Sequence, residues 1–174
     1  MGLFNFKSKK NEGNEIEEMS PATAGERFCA YVRGCFERPL RNGDPPRKLT
    51  DLSSEAQETV TFMMVILEAY LKQTRISIES RAAMIIAFKK AAKEMGVDPD
   101  LLQEGIEKYG DLLRKVINGG LSSSDEGVSE RDAAIEKIEK MLATQSEIGR
   151  TFIGMFGDCQ GLYLYFFNKY KIVA

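Results

Sequence analysis

The chain has 174 residues, which suits a single domain, and 43% of them are hydrophobic, which is enough to build a core. Its 24 basic and 26 acidic residues leave a net charge of −2, so no strong field would draw it to a polyanion. The sequence contains no histidine, which excludes Ser-His-Asp and Cys-His catalysis and every histidine-ligated metal centre.

The first 19 residues divide into a short N-terminal head and a polar tail. The N-terminal head carries three large apolar residues and then three lysines: Leu3, Phe4, Phe6, Lys7, Lys9 and Lys10. The tail is mostly Asn, Glu and Gly. Because this composition offers no apolar face to a core, residues 1–19 are predicted to be a disordered arm and residues 20–174 a single helical domain.

Five to six helices are predicted after the arm, and the first two have clear boundaries. The first begins at Ser20-Pro21, an N-cap residue followed by proline, and Pro39 ends it. The second begins near Ser54 and is apolar on almost every side over residues 60–71. Since such a helix is usually buried all round, it is predicted to be the centre of the fold.

The next two predicted helices are amphipathic. The third is capped by Ser77 and stops at Gly96, and the fourth starts at Asp98 and ends near Asn118. Residues 120–128, which are rich in Ser and Gly, are predicted to be a flexible linker.

The C-terminal part is predicted to hold a long fifth helix and a short last one. Ser129 opens the fifth helix, whose apolar positions continue to Phe156. Four glycines lie in this region, and one of them is expected to bend or break the helix: Gly149, Gly154, Gly157 and Gly161. The spacing of Gly157 and Gly161 indicates a tight helix crossing or a helix end. The aromatic residues of 162–174 favour a strand, but a lone strand would lack a partner, so a last helix is predicted. The fold class is therefore all-α, a compact and irregular helical bundle.

The cysteines indicate an intracellular protein. Cys29, Cys35 and Cys159 are odd in number and form no Cys-x-x-Cys motif, so buried thiols are predicted. No segment has the roughly 18–20 apolar residues of a membrane span, and the N-terminus lacks the apolar region of a signal peptide. We therefore expect a soluble, cytoplasmic protein.

No catalytic, metal or cofactor site is predicted. Glu136 and Glu139 share one helix face, as a glycosidase pair would, but Lys137 and Lys140 alternate with them and indicate a solvated face. Residues 98–104 begin like a calcium loop but lack its glycine and its last glutamate, which leaves helix capping as the explanation. Glycine-rich phosphate motifs are absent from the sequence.

Nucleic-acid binding is not expected either. The largest basic cluster surrounds the proline-rich loop: Arg33, Arg38, Arg41, Arg47 and Lys48. Acidic neighbours offset these cations, whereas phosphate binding needs several uncompensated ones.

Two segments are candidates for contact with a partner. The N-terminal head combines apolar anchors with cations, as membrane-surface segments and partner-binding arms do, although it lacks the Ser or Thr of a myristoylation signal. The aromatic residues Phe166, Phe167 and Tyr170 either seal one end of the core or form an exposed interface, and the core is the favoured interpretation.

These observations favour a non-enzymatic helical interaction module, of adaptor, chaperone-like or antitoxin/immunity type, that binds another protein. Two alternatives stay open: a peripheral membrane-surface protein that uses the N-terminal head, and an enzyme with carboxylate, tyrosine or cysteine chemistry that the sequence does not reveal. A homodimer is also compatible with these features, and no cofactor is expected.

Overall fold

The computed structural model describes residues 16–36, 48–120, 124–143 and 152–173, which form six α-helices and two short strands. In chain order the elements are β1 (Glu17–Met19), α1 (Pro21–Phe36), α2 (Ser54–Lys72), α3 (Ile78–Glu94), α4 (Pro99–Gly120), α5 (Asp125–Ala143), α6 (Phe152–Lys169) and β2 (Tyr170–Ile172). A 3₁₀ turn, Leu49–Asp51, precedes α2. The all-α class predicted from the sequence is confirmed.

The centre of the fold is α2, as predicted. Residue 60 and residues 62–71 are buried, and neither Met64 nor Leu67 has exposed surface. Three helices, α3, α4 and α6, pack around it, while α1 packs on α3 and α5 packs on α4. Within the described ranges, no helix has the length and apolarity needed to cross a bilayer.

Several helices start where local capping signals predict. The Ser20 hydroxyl accepts the Thr23 N–H at 3.2 Å, and the Ser77 hydroxyl accepts the Ser80 N–H at 3.1 Å. The Asp98 carboxylate caps α4 in the same way. These bonds satisfy backbone donors that a helix leaves without a partner in its first turn.

The predicted fifth helix is wrong at both ends. It begins directly after Ser124, inside the predicted linker, rather than at Ser129. The reason is a cap: the Ser124 hydroxyl accepts the Gly127 N–H at 3.2 Å. At the other end, α5 stops at Ala143, and Phe152 and Phe156, which were predicted to belong to the same helix, lie in α6. Of the glycines expected to bend or break the helix, Gly149 lies outside the described residues.

The predicted last helix is confirmed over residues 162–169, which form the end of α6, but it is wrong for residues 170–172, which form a strand. α6 continues to Lys169, and β2 follows directly. β2 pairs in parallel with β1, with Glu17 opposite Tyr170 and Met19 opposite Ile172. The end of the predicted arm therefore supplies the partner of β2, so the prediction of a disordered arm is wrong for residues 17–19. The rest of that arm, residues 1–15, lies outside the described residues.

Backbone pairing and one buried side chain hold β1 in place. Met19 is only 6% exposed, and its carbonyl accepts the Val173 N–H at 3.0 Å. Two ion pairs lie at the surface, Glu17 with Arg27 and Glu18 with Lys171. Exposed pairs of this kind stabilise little, so the burial of Met19 and the strand hydrogen bonds are the main attachment.

Gly157 and Gly161 do not lie at a tight crossing or at a helix end, which corrects the expectation from their spacing. Both are exposed in the middle of α6, and a Cβ atom added to either would meet no atom within 4 Å.

Candidate binding groove

A groove of about 460 Å³ lies between the N-terminal halves of α2 and α4, and we call it the α2–α4 groove. The residues that α2 contributes are three or four positions apart, which places them on one face of the helix. They are Ser54, Gln57, Glu58, Thr61, Phe62 and Val65. At 1.5 Å per residue this wall is about 16 Å long.

The opposite wall is a second helical stripe. On α4 and the residue that caps it, the lining positions are Asp98, Leu101, Glu104, Gly105, Lys108 and Tyr109. Gly105 permits the close approach of the two helices, because a Cβ atom there would lie only 2.7 Å from a Val65 methyl group. Two sequence-distant helices therefore meet at this point and form the groove beside it.

The floor of the groove is apolar. Phe62 and Val65 are 6% and 2% exposed, and the Tyr109 ring stands edge-on to Phe62 with 5.2 Å between ring centroids. Leu49 and Leu142 of α5 also line the groove. Aromatic and branched side chains in a concave surface are typical of sites that bind apolar groups.

The rim is mainly acidic. Glu58, Asp98 and Glu104 are exposed there, whereas Lys108 is the basic residue among the lining residues. The Lys108 ammonium lies 5.2 Å from the centroid of the Tyr109 ring, within the range of a cation–π contact. Leu101 is 53% exposed and adds an apolar contact at the edge. The groove therefore suits an apolar group that has cations next to it.

The structure places the aromatic candidates inside the protein. Phe166 has no exposed surface, Tyr170 is 6% exposed, and Phe167 is half-buried. Their rings pack with Phe28 and Tyr31 of α1, at centroid distances of 5.2 Å and 5.8 Å from Phe166. These residues therefore belong to the core, where α1, α6 and β2 meet. The six residues of the N-terminal head lie outside the described residues.

The strongest shifts in pKa lie away from the groove. Burial raises the pKa of the Cys29 thiol to about 12. The pKa of Tyr170 is lowered, chiefly by its hydrogen bond with the Tyr31 hydroxyl at 3.2 Å. The pKa of Tyr31 is raised, mainly because the side chain is buried. This pair joins α1 to β2 inside the aromatic core, and no groove residue takes part in it.

The carboxylates considered as a catalytic pair lie on a solvated face. The Lys140 ammonium is 2.6 Å from Glu136, and this hydrogen bond lowers the pKa of the Glu136 carboxyl. Both side chains are well exposed, so the pair fits the alternating charges of a helix surface. In the described part of the chain, no group of three or more acidic or cysteine side chains is arranged to hold a metal ion.

The groove was not predicted from the sequence, although the sequence contains one feature that indicates it. Leu101 is an apolar residue on an otherwise polar face of the predicted fourth helix, at helical spacing from Gly105. An exposed leucine beside a glycine on one face can mark a contact surface. The pairing of that face with residues 54–65 depends on how the two helices pack, which the helical spacing of either segment does not specify.

The chain matches no family model, no curated protein and no solved structure. What the groove binds has therefore to be inferred from its own residues.

Proposed function

We propose that this protein is a non-enzymatic helical interaction module that binds a segment of another protein in the α2–α4 groove. The proposed partner segment carries large apolar side chains next to lysine or arginine. The observation that carries this proposal is the combination of an apolar floor, made by Phe62, Val65 and Tyr109, with an acidic rim.

The size of the groove supports a peptide as its occupant. A wall about 16 Å long and a volume of about 460 Å³ suit a few consecutive side chains rather than a whole domain surface. Grooves between helices commonly bind amphipathic segments by taking their apolar anchors.

The charge of the rim supports the choice of partner. The exposed carboxylates of Glu58 on the α2 wall and of Asp98 and Glu104 on the α4 wall outnumber the one lysine of the lining, Lys108. Basic residues that flank the bound anchors would meet these carboxylates, and such complementarity raises association rates and selects against acidic segments.

We also propose that the module acts in the cytoplasm. Cys29 and Cys159 are buried thiols, which is typical of proteins from a reducing compartment.

Selection from a random peptide library tests this function without knowledge of the natural partner. The enriched peptides are expected to combine at least two large apolar residues with neighbouring lysine or arginine. Their binding should be lost in a Glu58→Lys, Glu104→Lys double variant, which reverses two exposed rim charges.

A matched control makes the same change in net charge at positions outside the groove. Asp111→Lys with Glu130→Lys alters exposed residues of α4 and α5 that do not line the groove, and it should retain binding. A library that yields no enriched family, or peptides that bind both double variants equally well, would exclude the proposed function.

A further inference from the structure

The N-terminal head of this chain has the composition that the α2–α4 groove should select. It carries three large apolar residues and then three lysines: Leu3, Phe4, Phe6, Lys7, Lys9 and Lys10. The other stretches that lie outside the described residues are 37–47, 121–123, 144–151 and residue 174. Each of these contains at most one leucine or isoleucine and no aromatic residue. Among the segments outside the described residues, the N-terminal head is therefore the one that matches the groove.

The apolar side chains of the N-terminal head fit the groove in size. An apolar cavity of about 150 Å³ holds one benzene molecule, so the groove volume of about 460 Å³ has room for about three groups of this size. In an extended segment, Phe4 and Phe6 point to the same side, with about 7 Å between them. Both rings can therefore reach the floor made by Phe62, Val65 and Tyr109.

The lysines of the N-terminal head complement the charge of the groove. Residues 1–10 contain three lysines and no acidic residue, so their side chains carry a charge of +3. The lining carries three carboxylates, those of Glu58, Asp98 and Glu104, against the one lysine Lys108, which leaves −2. Opposite charges of this kind select one segment over another and speed its association.

The fold brings the start of α1 close to the groove. Gly25 of α1 packs against the backbone of Phe88 in α3, since a Cβ atom on Gly25 would lie 2.9 Å from the Phe88 nitrogen. Eight residues separate Phe88 from Gly96, which lines the groove, and five separate Ser20 from Gly25. At 1.5 Å per residue, with about 5 Å for the contact, Ser20 lies within about 25 Å of Gly96.

The chain before β1 is long enough to cover the remaining distance. Ser20 directly follows β1, which adds about 10 Å at most, so Glu17 lies no more than about 35 Å from Gly96. Phe6 precedes Glu17 by eleven residues, which span about 36–40 Å when they are extended. The N-terminal head can therefore reach the groove of its own chain without a change in the described fold.

We propose that the N-terminal head binds in the α2–α4 groove of its own chain and competes there with the partner segment. This inference rests on the function proposed for the groove, because the same surface accepts apolar side chains next to cations. A short tether holds its segment at an effective concentration in the millimolar range. If the head as a free peptide has a dissociation constant of about 100 μM, the tethered head occupies the groove about nine-tenths of the time, and a partner binds about tenfold more weakly.

A synthetic peptide of residues 1–10 tests this competition without the natural partner. In the full chain with Phe4→Ser and Phe6→Ser, which we call the released variant, the groove should be open to the peptide. NMR titration of the ¹⁵N-labelled protein should then give shifts at wall positions such as Thr61, Leu101 and Lys108, with a dissociation constant on the order of 100 μM. The original chain should bind the same peptide about tenfold more weakly, because its own head occupies the groove.

Asn11→Ser with Asn14→Ser is the matched control, because it makes two substitutions by serine in the polar tail and leaves the head unchanged. This variant should bind the peptide as weakly as the original chain. The amide spectrum of the original chain should also stay the same when the protein is diluted tenfold, since the head and the groove belong to one chain.

Charge reversal examines the contact of the lysines with the rim. Glu58→Lys with Glu104→Lys, introduced into the released variant, should abolish binding of the peptide. The same protein should bind a peptide in which the three lysines are replaced by glutamate, because the two charges are then opposite again. Asp111→Lys with Glu130→Lys, which lie outside the groove, should keep the original preference.

Circular dichroism verifies that each variant is folded, and Lys7→Glu with Lys10→Glu in the full chain takes the place of the released variant if the latter does not fold. The inference is overturned if the original chain and the released variant bind the peptide with equal affinity, or if neither binds it. It is also overturned if the glutamate peptide does not bind the groove with reversed charges. A spectrum of the original chain that changes on dilution would place the head in the groove of a second copy and overturn it as well.

The selection of library peptides separates this inference from the proposed function. If library peptides bind the groove but the head peptide does not, only this inference fails. If neither the library peptides nor the head peptide binds the groove, the proposed function and this inference fail together.

Discussion

Glu68 is a buried carboxylate in the C-terminal half of the central helix α2, and its replacement should stabilise the protein. The side chain has 1% exposure, while the ammonium groups of Lys72 and Lys89 lie 3.0 Å and 3.4 Å from Oε1. These contacts are ion pairs by distance, but neither carboxylate oxygen has a hydrogen bond of regular geometry with a described residue. Burial therefore removes the water that would hydrogen-bond to the Glu68 carboxylate, and the two lysines replace only part of those interactions.

The expected change in the free energy of unfolding follows from the difference in burial between Glu68 and its two lysine partners. Substitution of buried ion pairs by apolar residues is often neutral or stabilises by about 1–4 kcal/mol. Here the side chains of Lys72 and Lys89 are 44% and 37% exposed, so water can solvate both ammonium groups after Glu68 is replaced, and Lys89 also keeps its hydrogen bond to Gln103. Glu68→Met, which keeps the length of the side chain, should raise the free energy of unfolding by about 0–2 kcal/mol.

Loss of the lysines should have the opposite effect. In Lys72→Met with Lys89→Met, the carboxylate stays buried without a counter-charge, which costs about 3–5 kcal/mol. Urea titrations followed by circular dichroism measure both changes. Lys90→Met is the control, because its ion pair with Glu94 is exposed and should contribute under about 0.5 kcal/mol. A destabilisation by Glu68→Met of more than about 2 kcal/mol, the opposite sign to that expected, would refute this account of the buried charge.

Three further predictions concern packing and ionisation. Leu67→Ala removes a fully buried side chain of α2 and should lower the free energy of unfolding by about 2–5 kcal/mol in a urea titration; a loss under about 0.5 kcal/mol would be typical of a surface site. Gly105→Ala should lower the melting temperature, whereas Gly110→Ala on the same helix should not, because only the first meets Val65. Since Cys29 has a raised pKa, its contribution to stability is complete below pH 9 and is lost as the pH rises toward 12. Between pH 8 and pH 10 the original protein should lose about 1.4 kcal/mol relative to Cys29→Ala, and equal losses in the two proteins would contradict this.

The features that could be predicted from the sequence depend on local chemistry. Ser20, Ser77 and Asp98 cap helices through bonds to backbone groups two or three residues away, so the sequence alone contains both partners. The burial of α2 was predicted for a similar reason, because a helix apolar on every side has no face to turn toward water.

Two of the features that were missed, the strand pair and the groove, depend on partners far apart in the chain. The aromatic residues before the C-terminus favour a strand, but the partner of β2 lies more than 150 residues away, at Glu17–Met19, where three residues show no alternation that predicts a strand. The N-cap at Ser124 was missed for a local reason, since glycine and serine on both sides of it resemble a linker. The α2–α4 groove needs two helix faces to meet, and the close contact of Gly105 with Val65 is visible only in the folded chain.

The most direct test of the interaction function is an NMR titration of the ¹⁵N-labelled full chain with the peptide enriched by library selection. If the groove is the binding site, the largest shifts in amide frequency should lie along its two walls, at positions such as Thr61, Leu101 and Lys108. They should be absent in the Glu58→Lys, Glu104→Lys variant. Shifts confined to the exposed face of α6, around Gly157 and Gly161, would contradict the assignment of the α2–α4 groove as the site.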